Sequence, residues 1–205
     1  MLENKTYIHS TCVIQKNKIV LNGESIFSNE IEGFNDFAKK FYQEFEIAYP
    51  KFFKMDSLSK LAFIGAELLL KPIIDPLKEN NIGLLFANKS SSLDTDVKYQ
   101  ESISESESYF PSPAVFVYTL PNICLGEISI KHQLKSENSF FIFDTFNSSF
   151  MENYANVLLN IKKADKVLCG WVEYFNEEYK GFFYLVSDEG EIEHTKNNIE
   201  IEFNK

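Results

Sequence analysis

Ser112-Pro-Ala-Val-Phe-Val-Tyr-Thr-Leu-Pro-Asn-Ile-Cys-Leu-Gly-Glu-Ile-Ser-Ile130 opens the second half of a 205-residue chain and stays apolar through Leu134. The segment before it, Lys89–Pro113, is polar and serine-rich, and reads as the one long loop. Loops of that length in a compact domain usually carry function. Upstream of the loop, Ile82–Ala87 is a short apolar run suited to a buried strand. Leu58, Leu61, Ala62, Gly65, Leu68 and Leu69 keep a helical period closed by Pro72, and Phe34, Phe37, Ala38, Phe41, Tyr42 and Phe45 do the same before Pro50. Tyr7–Ile14 reads as a first strand followed by a turn region around Gly23. Downstream, Phe140–Phe143 is continuously apolar, as in a strand covered on both faces. Phe150, Tyr154, Val157, Leu158 and Ile161 restore the helical period. Lys166–Phe175 and Gly181–Val186 read as an antiparallel pair, with Ile199–Phe203 as an edge strand. Strands and helices alternate, so the class is α/β, and the length predicts a single domain over residues 1–205.

Charge narrows the function. All 20 basic residues are lysine, and the formal net charge is −10. Arginine forks are the usual bidentate grip on phosphate and guanine, and a polyanion needs a basic footprint, so nucleic acid is not an expected partner. The negative surplus sits in residues 94–108 and 173–205, read as solvated segments. No apolar run approaches the roughly 20 residues of a membrane span, and Met1–Ser10 lacks the plan of a signal peptide. Cys12, Cys124 and Cys169 are far apart and odd in number, which points to buried thiols in a reducing cytoplasm.

Motifs for chemistry are sparse. His9, His132 and His194 have no metal-ligand spacing, and there is no glycine-rich phosphate loop or Gly-x-Ser-x-Gly elbow, so no metal and no cofactor is expected. Ser90-Ser-Ser92 reads as a polar turn, and Asp94 with Asp96 lacks the glycine and distal glutamate of a calcium loop.

The Ser112–Ile130 run resembles the segment of β-ketoacyl synthases that leads into the active site, with Asn122 and Gly126 on that family's Asn-x-x-x-Gly positions. Asn81-Ile-Gly-Leu-Leu-Phe-Ala87 resembles its central strand and Leu58–Leu70 the preceding helix. Ala164-Asp-Lys-Val-Leu-Cys-Gly-Trp-Val-Glu173 is similar to the strand ending in Gly-Gly-x-Glu, with Trp171 in place of the second glycine. The resemblance covers most of residues 1–175. It implies one half of a thiolase-like fold, the N-terminal half of a ketosynthase, as a mixed sheet with covering helices.

In that family the catalytic cysteine lies in Thr-Ala-Cys between these two anchors. Counting from either anchor lands on Thr145, and a one-residue slip lands on Phe146. Neither supplies the thiolate that accepts an acyl group from a thioester. Cys124 and Cys169 match apolar core positions, and Cys12 lies in the first strand. The family's two histidines and lysine belong to a second half that this sequence does not match, so the resemblance implies no catalysis by this chain alone.

Inactive ketosynthase-like subunits, the chain length factors of polyketide and aryl-polyene systems, pair with an active ketosynthase and shape the tunnel for the growing chain. By position, the tunnel candidates are Asn88, Ser90, Tyr118, Thr145 and Phe146. The dimer-interface candidates are Phe140, Phe141, Ile142 and Phe143, because the family dimerises through the strand before the nucleophile and a hydrophobic edge needs a partner. The resemblance therefore implies a heterodimer with a full-length ketosynthase, self-association as a homodimer being the alternative. Contact with an acyl carrier protein is expected to be indirect, since such carriers are acidic and this chain has no arginine patch. Two further readings remain open at this stage: a homodimeric module that binds an acyl chain or carrier protein, and a small enzyme with different thioester chemistry built on Ser90 and His132.

Overall fold

The computed structural model describes residues 5–30, 33–75, 77–104 and 111–205. Its strands are β1 (Tyr7–Gln15), β2 (Lys18–Leu21), β3 (Glu24–Ser28), β4 (Ile82–Asn88), β5 (Asn138–Ile142), β6 (Lys166–Phe175), β7 (Glu178–Ser187) and the short β8 (Ile192–Glu193). All join one sheet in the order β3-β2-β1-β7-β6-β4-β5, with β8 pairing with β1. β4 is parallel to β5 and to β6, whereas β7 is antiparallel to β6 and β1. The β6–β7 antiparallel pair is as expected.

Three hairpins set the antiparallel registers. Lys16-Asn17, Asn22-Gly23 and Asn176-Glu177 each form a two-residue loop with both φ angles positive. That conformation matches the right-handed twist of the flanking strands, and asparagine and glycine reach it most cheaply. The turn around Gly23 thus joins two strands, β2 and β3, that the sequence reading had not separated.

Helices cover both faces. α1 (Phe34–Glu44), α2 (Ser57–Leu70) and α5 (Ile123–His132) lie on the first, and α6 (Ser148–Asn160) and α7 (Lys196–Phe203) on the second. Strand residues alternate between the two cores, Leu84, Phe86, Phe183 and Leu185 entering the first and Leu85, Ala87, Phe182, Tyr184 and Val186 the second. A strand covered on both faces reads as one apolar run for this reason. α2 is the central helix, with twelve of its fourteen residues buried. It reaches the sheet through Gly65, whose α-carbon lies against the ring of Phe183.

Three expectations are corrected. Lys89–Pro113 is not one loop, because α3 (Leu93–Ile103) occupies its middle and α4 (Pro113–Val117) begins at its end, while residues 105–110 lie outside the described residues. α3 holds Asp94 and Asp96 in its first turn, where the helix dipole favours acids, and Lys98 bridges to Asp94 at 2.6 Å. Ile199–Phe203 belongs to α7 and not to an edge strand. Thr195 caps that helix, its hydroxyl accepting from Asn198 N at 3.4 Å, and Lys180 Nζ donates to Phe203 O at 2.8 Å. Finally, β5 is the last strand of the sheet, with side chains half-buried or exposed in place of the full coverage expected for Phe140–Phe143.

Candidate functional site

The chain leaves β4 toward α5 on the first face and leaves β5 toward α6 on the second. Connections that part in this way mark the region beyond the carboxyl ends of the two strands, where ligands bind in open α/β sheets, as the candidate crevice. Asn88 ends β4 there, fully buried, and its backbone carbonyl accepts from Phe143 N at 2.9 Å. Its side chain closes a turn: Nδ2 donates to Ser91 O and Oδ1 accepts from Ser91 N, both at 2.9 Å. Ser91 has φ 51°, an uncommon conformation for a residue with a side chain, and these two bonds hold it.

Neighbouring elements fix the same loop. Glu173, at the end of β6, accepts from Lys89 N at 2.7 Å and Ser90 N at 3.2 Å through one carboxylate oxygen. Ser92 Oγ donates to Thr119 O at 2.6 Å, tying the loop to the end of α4. Thr95 Oγ1 donates at 2.8 Å to Asp56, which caps α2 by accepting from Ser59 N at 2.9 Å. Burial pushes the Asp56 carboxyl up, partly offset by those donors. The loop is thus a backbone cradle whose anion position is filled by a carboxylate of the same chain. Sequence reading marked Glu173 only as the last residue of a strand motif; its capping role depends on the β4–β6 pairing.

The five tunnel candidates do not converge. Asn88 and Ser90 lie on the β4 loop, and Thr145 is exposed two residues beyond the Asn88–Phe143 bond. Phe146 turns away to the second core, stacked on Phe203 at 4.3 Å and edge-on to Trp171 and Phe182. Tyr118 turns into the first core, where its hydroxyl donates to Glu127 at 3.1 Å. Glu127 also meets Lys51 Nζ at 2.8 Å and accepts from Tyr49 OH at 3.3 Å. Burial and this carboxylate push the Tyr118 phenol up. Both aromatic side chains are therefore packing residues, and a position count cannot see which way a side chain turns.

No thiol reaches the crevice. Cys12, Cys124 and Cys169 are buried on β1, α5 and β6. Burial raises all three thiol pKa values, that of Cys169 to about 12, so none offers a thiolate near neutral pH. The histidines are dispersed as well. His9 is exposed on β1, His132 faces Glu67 beneath α2, and burial lowers His194 to about 4. Among the described residues no group of His, Cys, Asp and Glu is arranged to hold a metal, and no helix is long and apolar enough to cross a membrane.

The interface candidates sort by direction. Phe140 packs against the first core, while Phe141 and Phe143 pack against the second, their rings 4.7 and 5.0 Å from that of Phe150. Ile142 remains 49% exposed. The other end of the sheet, β3, reads Glu24-Ser-Ile-Phe-Ser28 and presents mostly polar residues, the usual protection of an edge.

No protein-family model matches this sequence, and no curated protein matches it. Solved structures do. The chain is similar to the ishigamide ketosynthase/chain length factor, with a TM-score of 0.66 and 16% identity over 89% of this chain and 62% of that one. It is similar to the complex of the ketosynthase ApeO with its chain length factor ApeC from Xenorhabdus doucetiae, at 0.60 and 13% over 98% of this chain and 90% of that one. A third likeness is to AntDE:AntF, a type II PKS acyl-carrier protein in complex with its ketosynthase, at 0.61 and 14% over 91% and 63%. At these identities the shared property is the fold. The chain has the thiolase-like ketosynthase fold, as the sequence resemblance implied, and it spans 62–63% of the matched chain in two of these structures.

Proposed function

We propose that this chain is a non-catalytic ketosynthase-like subunit of the chain-length-factor kind. It pairs in the cytoplasm with an active β-ketoacyl synthase in polyene, polyketide or fatty-acid-type biosynthesis. The observation that carries the reading is the position of Thr145. What supports it is that the sequence count puts Thr145, or Phe146 on a one-residue slip, at the family's thiol position, that Thr145 is exposed, and that every cysteine of the chain is buried elsewhere.

A hydroxyl without a placed base does not take an acyl group from a thioester. The subunit's contribution is then geometric. The apolar edge β5 seats the ketosynthase, with Ile142 facing it, and the loop of Asn88 and Ser90 beside Thr145 bounds the space open to a growing chain. The edge supports this reading because an unpaired apolar strand is an aggregation template unless a partner covers it. Acyl carrier protein reaches the pair through the ketosynthase. The test is product analysis of the co-expressed pair. Ser90→Phe is expected to shift the products toward shorter chains without lowering total turnover, and an unchanged distribution refutes the assignment of this loop.

A further inference from the structure

Where α7 ends over the β1–β2 hairpin, a cavity of about 300 Å³ lies on the second face of the sheet. Side chains alternate along a strand, so Thr11, Val13 and Gln15 of β1 share this face. β2 sets Val20 beside Val13 and Lys18 beside Gln15. The end of α7 adds Glu202 and, just past it, Lys205. Thr11, Glu202 and Lys205 also border a neighbouring cavity toward Ile8 and Asn22, so α7 closes the Thr11 end, and Gln15 with Lys18 makes the other.

The two ends differ in character. The Glu202 side chain and Thr11 are each 8% exposed. Lys205 Nζ donates to Glu202 Oε1 at 2.6 Å, but Glu202 Oε2 has no hydrogen-bond partner among the described residues, and neither has Thr11 Oγ1. Both atoms keep accessible surface, so they face the cavity and not a sealed core. A carboxylate oxygen so placed calls for a donor. At the other end, neither the Gln15 amide nor the Lys18 ammonium has a partner among the described residues, and an ammonium can only donate. Between the ends lie Val13 and Val20, packed on the second core. Four residues at about 3.3 Å each separate the ends by about 13 Å. Hydrogen bonds of about 2.9 Å at either end leave roughly 7 Å for a ligand.

We propose that this cavity binds an ω-amino carboxylate, an aliphatic chain with an ammonium at one end and a carboxylate at the other. A chain as long as 6-aminohexanoate fills the span. Its ammonium donates to Glu202 Oε2 and Thr11 Oγ1, its methylenes lie on Val13 and Val20, and its carboxylate accepts from the Gln15 amide and Lys18 Nζ. An α-amino acid is too short to meet both ends, and a plain fatty acid sets a methyl group against the Glu202 carboxylate.

Thermal unfolding at pH 7 and constant ionic strength tests this, with 6-aminohexanoate, hexylamine and hexanoate as probes. A ligand that binds only the folded state raises the midpoint saturably. 6-Aminohexanoate is expected to do so, hexylamine only at higher concentration, and hexanoate not at all. Glu202→Gln is expected to weaken binding of 6-aminohexanoate by about tenfold or more, since a hydrogen bond to a charged group is worth that order. That change also frees Lys205, so Thr11→Val is the second probe: it keeps the branched side chain, removes the hydroxyl and is expected to weaken binding in the same direction. Lys18→Gln is expected to bring 6-aminohexanoate down to the level of hexylamine. Equal responses to 6-aminohexanoate and either other probe, a response that survives both Glu202→Gln and Thr11→Val, or no response overturn the proposal.

Discussion

Replacing Gly65 by alanine places a methyl group where α2 meets the sheet. A Cβ built there lies 2.2 Å from Cδ2, 2.3 Å from Cε2 and 2.6 Å from Cγ of Phe183. Carbon atoms in contact settle at about 3.5–4.0 Å, so the ring or the helix must shift by more than about 1 Å. Phe183 has little freedom to yield, being fully buried and edge-on to Phe86 with ring centroids 5.7 Å apart. Overpacking of this kind costs about 1–3 kcal/mol, and alanine regains about 0.8–1.0 kcal/mol of helix propensity over glycine. For so short a contact the upper part of the first range applies, leaving a net loss of about 2 kcal/mol. For a chain of this size that is a fall in Tm of roughly 4–8 °C. The control is Gly126→Ala in α5, where an added Cβ meets nothing within 4 Å. There the propensity gain stands alone, and the variant is expected to be more stable by about 0.5–1 kcal/mol. Urea unfolding of both variants, with unchanged m, reads the two effects. A Gly65→Ala protein as stable as its parent would refute the packing of α2 against β7 through this glycine.

Three other predictions follow from single side chains. His194 is neutral in both states above pH 6.5. Between about 6.5 and about 4 the unfolded chain takes a proton that the folded chain refuses. Stability is therefore expected to fall with pH across that window, by on the order of 3 kcal/mol in total. Urea midpoints of the parent should show that slope, and His194→Gln should flatten it. Thr145→Cys puts an exposed thiol on a chain whose own three are buried, so iodoacetamide is expected to label it well ahead of them without any gain of thioester turnover; equal labelling of all four thiols contradicts the placement of Thr145. Phe203→Ala removes a ring stacked on Phe146 and clasped by Lys180, 3.7 Å above it. The expected loss is about 2–3 kcal/mol in urea, below the full 3–5 for a core phenylalanine because Phe203 is half-buried.

What the sequence disclosed follows from how each element is buried. α1 sets one face against the sheet and shows an aromatic stripe at helical spacing. β4, β6 and β7 are covered twice and show continuous apolar runs. α3 disclosed nothing, because it lies on the surface and buries only Thr95, leaving no apolar period to detect. Ile199, Ile201 and Phe203 alternate like a strand, but in α7 Ile199 faces the core and Ile201 faces outward at 56% exposure. The loop after β4 was legible as the end of an apolar run, whereas Glu173 reaches it, and Asp56 reaches Thr95 of α3, only through tertiary pairing. The Glu67–His132 pair was hidden because its members lie 65 positions apart on two helices that pack side by side.

The central claim is that β5 is the seat of a ketosynthase, and solution mass tests it most directly. Phe141 is unsuited as the probe, since its ring packs on Phe150 and an acid there would damage the fold. Ile142 is exposed, so Ile142→Asp is expected to leave the isolated chain as stable as its parent. Light scattering of the chain co-expressed with a full-length ketosynthase from the same genome neighbourhood is expected to give a one-to-one complex. Ile142→Asp is expected to reduce it to separate species, because an unpaired charge at a dry interface costs several kcal/mol, order of magnitude. A chain that ignores the ketosynthase, or a complex indifferent to Ile142→Asp, would contradict the account.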